Sequence, residues 1–115
     1  MSVARIDPVS LKALFDAGKP LVVLDVREAF EREIATIGLP ATAHELPIPM
    51  NAITSRLDDL RAIADGRPVV VYCHHGIRSM TAARWLDAQG VAGLVNLDGG
   101  IDLWSARVDP STPRY

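Results

Sequence analysis

The chain is 115 residues long, 49% hydrophobic and 23% charged, with a formal net charge of −2 and a single cysteine. That length holds one apolar core and excludes two ordinary domains, and the hydrophobic content excludes disorder. The near-neutral charge excludes a global attraction to nucleic acid or anionic lipid, and one cysteine excludes an internal disulfide.

In chain order, the N-terminal MSVARIDPVS lacks the basic and apolar regions of a secretory signal, and no later apolar run reaches the length of a membrane span. A cytoplasmic protein with no membrane or nucleic-acid partner is expected. Asp7-Pro8 reads as an N-cap followed by proline in the first helical turn, with Leu11, Leu14 and Phe15 as an apolar stripe and Gly18 as the stop. LVVLDV, Leu21 to Val26, is too continuously apolar for a half-exposed strand and predicts one covered on both faces, with Asp25 at its C-terminal end. EAFEREI, from Glu28, predicts a helical turn or two. TIGLPATAHELPIPM is rich in glycine and proline and predicts mostly loop, with one short strand near Ala43 to Leu46 and His44 as a solvated loop residue.

From Asn51, the helical spacing of Ile53, Leu57, Leu60 and Ala64 predicts a surface helix closed by Gly66. VVVYC is a second buried strand, SMTAARWLDAQG a strong helix with Ala82, Ala83 and Leu86 facing inward, and LVNL a third strand. Asp98-Gly99-Gly100 is a turn whose glycines relieve crowding before a last helix, GGIDLWSAR, and Trp85 and Trp104 are packing residues. After Arg107 the prolines of VDPSTPRY limit any regular continuation, so a domain over 1–108 and an irregular tail over 109–115 are expected. Strands alternating with helices imply an α/β fold with a parallel sheet covered on both faces. Right-handed crossovers then bring Asp25 and Cys73 to one edge of the sheet, the edge where ligands bind.

Cys73 ends a β-branched run. A cysteine at a strand end is as well explained by core burial as by reactivity, and the residues after it decide. Thiols attack as thiolates, and a free cysteine, with a pKa of about 8.5, is little ionised near neutrality. CHHGI can form a tight arch whose N–H groups converge on the sulfur, reinforced by the positive end of a helix beginning near Arg78 or Ser79. Gly76 permits the positive φ such an arch needs, and Arg78 offers a charged fork for an oxyanion. Together they favour a reactive thiol. His74 and His75 are read as lining the mouth of the pocket; adjacent loop residues rarely converge on one ion, no second pair at ligand spacing exists, and no metal is expected. Asp25 and Arg27 read as a strand-end pair, and Asp25 can support the site by accepting backbone N–H bonds from a neighbouring loop.

These residues resemble a single-domain rhodanese over nearly the whole chain, from the opening helix through LDVRE and CHHGIRS to NLDGG and the tryptophan after it. CHHGIRS fits the family's loop pattern of cysteine, two variable residues, glycine, one variable residue, arginine and serine. The resemblance implies a rhodanese-like α/β fold with a central, mostly parallel five-stranded sheet and helices on both faces. It implies a sulfurtransferase in which Cys73 is catalytic and carries a persulfide. His74, His75, Gly76, Ile77, Arg78 and Ser79 would then bind substrate, with Asp25 and Arg27 in support. Sulfane sulfur would pass from a small donor, thiosulfate or a persulfide, to a thiol or protein acceptor, with no cofactor. One departure lies between Ile37 and Pro47, where family members usually carry a histidine and an isoleucine-proline-glycine-alanine-like segment. The ending VDPSTPRY is similar to that of rhodanese domains attached to adenylyltransferases that load sulfur-carrier proteins.

Two other readings compete. A cysteine phosphatase places one residue more between cysteine and arginine than the four here, His74 to Ile77, and this sequence offers no placed general acid. A non-catalytic binding module or sulfur-relay partner on the same fold would have no physical need for Cys73, Gly76 and Arg78 together.

Overall fold

Continuous apolar strands need cover on both faces, and the fold supplies it. The computed structural model describes residues 3–115, so the first two residues of the predicted domain lie outside the described residues. Its elements are β1 (Ala4–Ile6), α1 (Pro8–Asp16), β2 (Leu21–Asp25), α2 (Ala29–Ile34), β3 (Ala43–Pro47), a 3-10 turn (Met50–Ala52), α3 (Leu57–Ala64), β4 (Val69–Tyr72), α4 (Ile77–Ala88), β5 (Leu94–Leu97) and α5 (Gly100–Arg107). The five strands form one sheet in the order β1-β5-β4-β2-β3, and every pairing is parallel.

Alternation along the strands builds two cores. Val22, Leu24, Val69 and Val71 join Leu60 and Ala64 of α3 and Ala82, Ala83 and Leu86 of α4 on one face. Leu21, Val23, Val70 and Tyr72 join Leu11 and Phe15 of α1 and Ile101 and Trp104 of α5 on the other. The predicted cap of α1 is present: the Asp7 carboxylate accepts the Ser10 N–H at 2.8 Å, with Pro8 in the first turn. Among the described residues, no helix is long and apolar enough to cross a membrane.

Along the elements, the structure differs from the sequence reading at β1, at the start of α3 and at His44. β1 is an added strand; its three residues carry no pattern of their own and exist as a strand through pairing with β5. The helix expected from Asn51 begins only at Leu57, after the 3-10 turn. There the Ser55 hydroxyl donates to the Ala52 carbonyl at 3.0 Å, a side-chain bond that competes with the helical ladder. His44 lies on β3, not in a loop, with its side chain exposed at the sheet edge. After Arg107 the chain runs in turns and folds back on α5, where Ser105 Oγ donates to the carbonyl of buried Thr112 at 2.6 Å.

Candidate active site

β4 is the middle strand of the sheet, so Cys73 emerges between the C-terminal ends of β2 and β5. The chain then arches over its own sulfur. Gly76 and Ser79 direct their backbone N–H groups at Cys73 Sγ, at 3.1 and 3.3 Å, and the cysteine is 1% exposed. Gly76 sits at φ 97° as the N-cap of α4, and a Cβ there would lie 3.1 Å from the Gly99 nitrogen and 3.3 Å from the Leu97 oxygen. α4 begins at Ile77, one residue before the predicted start, so its N-terminal donors converge on the thiol.

The arch is held from below by β5. The Cys73 thiol contacts Ser79 Oγ at 3.4 Å, Ser79 Oγ donates to Asn96 Oδ1 at 2.6 Å, and Asn96 Nδ2 donates to the Gly76 carbonyl at 3.3 Å. Ser79 is therefore buried beneath the thiol; its side chain, expected to face a substrate, supports the sulfur instead. α5 holds the arch from its outer side. The Ile101 and Asp102 N–H groups donate to the Cys73 and His74 carbonyls at 3.0 and 3.1 Å, so the free donors of one helix cap the loop of another. Only glycine permits that approach. A Cβ on Gly100, at φ 58°, would lie 2.4 Å from the His74 oxygen and 2.5 Å from the Cys73 oxygen.

Arg78 spends one edge of its fork on an ion pair. Its Nη1 and Nη2 donate to the Glu31 carboxylate at 2.8 and 2.7 Å, and Glu31 is 5% exposed. The bonds from Arg78, with the Glu28 N–H and the Tyr115 hydroxyl, lower the Glu31 pKa to about 2, and the same pair raises that of Arg78. The physical reason is local: α2 brings Glu31 beside the loop, where its carboxylate also accepts the Glu28 N–H at 2.8 Å.

Asp25 and Arg27 form a wholly buried pair. Arg27 Nε and Nη2 donate to the two Asp25 oxygens at 3.0 and 2.9 Å, and Arg32 adds a third bond at 2.6 Å. Burial pushes the Asp25 carboxyl up, but the bonds and charge of Arg27, joined by Arg32, hold it below the ordinary range. The backbone N–H that Asp25 accepts is that of Arg27, so it fixes its own turn and not the cysteine loop as expected. Arg27 carries the connection onward, donating to the Ala35 carbonyl at 2.8 Å and the Tyr115 hydroxyl at 2.9 Å.

The two histidines divide. His74 is half-buried, its ring stacked on Tyr115, its Nε2 enclosed without a partner among the described residues; burial, with His75 beside it, lowers its pKa. His75 is exposed and lines a cavity of about 340 Å³ with Arg5, Gly76, Ile77, Arg84 and Asp98. Ile77 stands 78% exposed on the same rim. The tertiary structure adds a donor that sequence spacing could not show: Asp102 brings one oxygen within 4.8 Å of nitrogens of both histidines. Both Asp102 oxygens already accept from Arg114, at 3.0 and 3.1 Å.

Sequence reasoning missed Glu31, Asn96 and Tyr115. Asn96 had a signal, as the one polar residue in LVNL, and a buried polar group in a strand needs partners. Glu31 had a weaker one, three residues after Glu28 at a helix start. Tyr115 had none, since every group it touches is distant in sequence.

A thiol under an arch of backbone donors, at the end of the middle strand of a parallel sheet, defines an α/β protein of the cysteine-loop class. The family model of the rhodanese-like domain matches residues 7–107, and the chain belongs to that family. Over 97% of its length it is 33% identical to adenylyltransferase and sulfurtransferase MOCS3-2 of Zea mays, of which it covers 23%. The chain thus spans about a quarter of such relatives. It is also 33% identical to the thiosulfate sulfurtransferase GlpE of Pseudomonas savastanoi pv. phaseolicola, covering 94% of this chain and 92% of that protein. A solved rhodanese-related protein from Thermoplasma volcanium superposes with a TM-score of 0.74 at 28% identity, covering 91% of this chain and 93% of that one.

Proposed function

We propose that the chain is a sulfurtransferase that carries sulfane sulfur on Cys73. The observation that supports this most is the pair of backbone donors, Gly76 and Ser79, aimed at a buried Sγ at 3.1 and 3.3 Å. Donors so placed favour an anion on sulfur and need no reorganisation when it forms. The sulfurtransferase names borne by relatives of similar length point the same way.

In this reading the Cys73 thiolate attacks the outer sulfur of a donor such as thiosulfate or a persulfide. The donor's S–S bond breaks, and sulfite or a thiolate leaves with the electron pair. The enzyme persulfide is held under the N–H groups of the arch, with Gly76 keeping the bowl open and Ile77, His74 and His75 forming its rim. A thiol or protein acceptor then attacks the terminal sulfur and regenerates Cys73. Ser79 and Asn96 keep the sulfur aimed; Asp25 and Arg27 keep α2 in place. No step calls on a metal or cofactor.

Intact mass after incubation with thiosulfate or an organic persulfide tests the reading: the wild type should gain one sulfur atom and lose it to cyanide. Cys73→Ser should fold, gain nothing and transfer nothing. Transfer that persists in the folded Ser variant would end the proposal.

A further inference from the structure

Most cations near the cysteine loop and the strand ends beside it are matched by carboxylates. Arg78 is paired with Glu31, Arg27 and Arg32 with Asp25, Arg114 with Asp102 and Arg5 with Asp98. Arg84 belongs to none of these pairs; it lines the cavity with His75, Gly76 and Ile77 on the α4 side of the loop, a cavity that Cys73 itself does not line. Of these pairs, Arg78–Glu31 stands nearest in sequence to the thiol, two residues after Gly76. It is also bidentate, so both donor edges facing Glu31 are spent. Glu31 itself is buried and further fixed by the Tyr115 hydroxyl at 3.1 Å and the Glu28 N–H at 2.8 Å.

We propose that Glu31 sets the donor specificity of this site: by neutralising Arg78 it selects small organic persulfides, R–S–SH, over dianionic thiosulfate. The proposal rests on the persulfide reading above and deepens it. Glu31 acts through Arg78 and does not touch the donor. With a thiosulfate donor, a thiolate of one negative charge meets a dianion, and the arginine that would offset the repulsion carries a carboxylate of equal charge. With R–S–SH the thiolate meets a neutral group. Cys73–S⁻ then attacks the outer sulfur, the S–S bond breaks, and RS⁻ leaves with the electron pair, giving Cys73–S–SH with charge conserved. This route asks nothing of Arg78. Glu31 remains ionised at neutral pH, since its pKa lies at about 2.

The experiment measures kcat/KM for loading Cys73 from thiosulfate and from 2-hydroxyethyl persulfide, in wild type, Glu31→Gln and Glu31→Asp. Glutamine keeps the volume and an acceptor for the Glu28 N–H while removing the charge. In Glu31→Gln, thiosulfate loading should rise by about tenfold and persulfide loading by less than about twofold, and Glu31→Asp should retain the wild-type ratio. Independently of any variant, wild-type loading from thiosulfate should quicken with ionic strength while loading from the persulfide, whose reacting form R–S–SH is uncharged, responds much less, because salt screens repulsion. Equal changes for both donors in Glu31→Gln, or a thiosulfate rate that falls with salt, would overturn the proposal. If Glu31→Gln does not fold, the salt dependence decides alone. Loading from neither donor would instead remove the persulfide reading on which the proposal stands.

Discussion

Tyr115 lies face to face on His74, with ring centroids 3.8 Å apart and planes 6° from parallel. The contact closes a circuit that no single element contains. Arg114 pairs with Asp102 of α5 and so draws the tail across the cysteine loop, while the Tyr115 hydroxyl accepts from Arg27 and donates to Glu31. One side chain thereby touches the loop after β4, the turn after β2 and the helix that carries Glu31.

The stack and the hydroxyl should be separable. Tyr115→Phe keeps the ring and leaves Arg27 and Glu31 each short of one partner, a loss of about 1 kcal/mol for a partly exposed bond. Tyr115→Ala also loses the ring contact and should cost about 2 kcal/mol in all. Urea unfolding measures both. An alanine variant no less stable than the phenylalanine one would mean that the stack contributes nothing.

Gly100 should be among the least replaceable positions of the chain. A Cβ there falls within 2.6 Å of three backbone atoms of Cys73 and His74, and none of them can swing aside as a side-chain end would. Gly100→Ala combines this overlap with a positive φ and should destabilise by about 3 kcal/mol or more. Because the displaced atoms belong to the cysteine loop, sulfur loading should fall more than the unfolded fraction accounts for. Loading that stays normal per folded molecule would show that the arch tolerates the shift.

Acid should unfold the protein through Glu31 and Asp25. Arg78, opposed by burial, holds the Glu31 pKa at about 2 against an ordinary 4.5. Arg27, opposed by burial, keeps Asp25 low as well. Folded-state values below the unfolded ones give stability that is fully present above the ordinary carboxylate range. That stability is lost as pH falls from about 4.5 toward the folded value, because the unfolded chain binds the proton first. In Glu31→Gln the fall in unfolding free energy across this window should be shallower than in wild type. Denaturant titrations at a series of pH values check it, and superimposable acid limbs would exclude Glu31 as a contributor.

What could be read from the sequence was whatever depends on neighbours along the chain. LVVLDV and VVVYC declared themselves as two-sided strands because continuous apolar character has no other stable placement, and Asp7-Pro8 declared a helix start because its hydrogen bond spans three residues. CHHGIRS likewise announced an arch over Cys73, since a glycine with freedom of φ followed by a helix start is a local property. The pairing of charges was decided elsewhere. Whether Arg78 meets a substrate or Glu31, and whether Asp25 serves the loop or Arg27, depends on how α2 and the tail pack against the end of the sheet. Tyr115 reaches His74 only because α5 and the turn after it return the chain to the loop. An ion pair or ring stack between distant residues leaves no period and no spacing in the sequence, because its geometry exists only once the sheet has set the elements side by side.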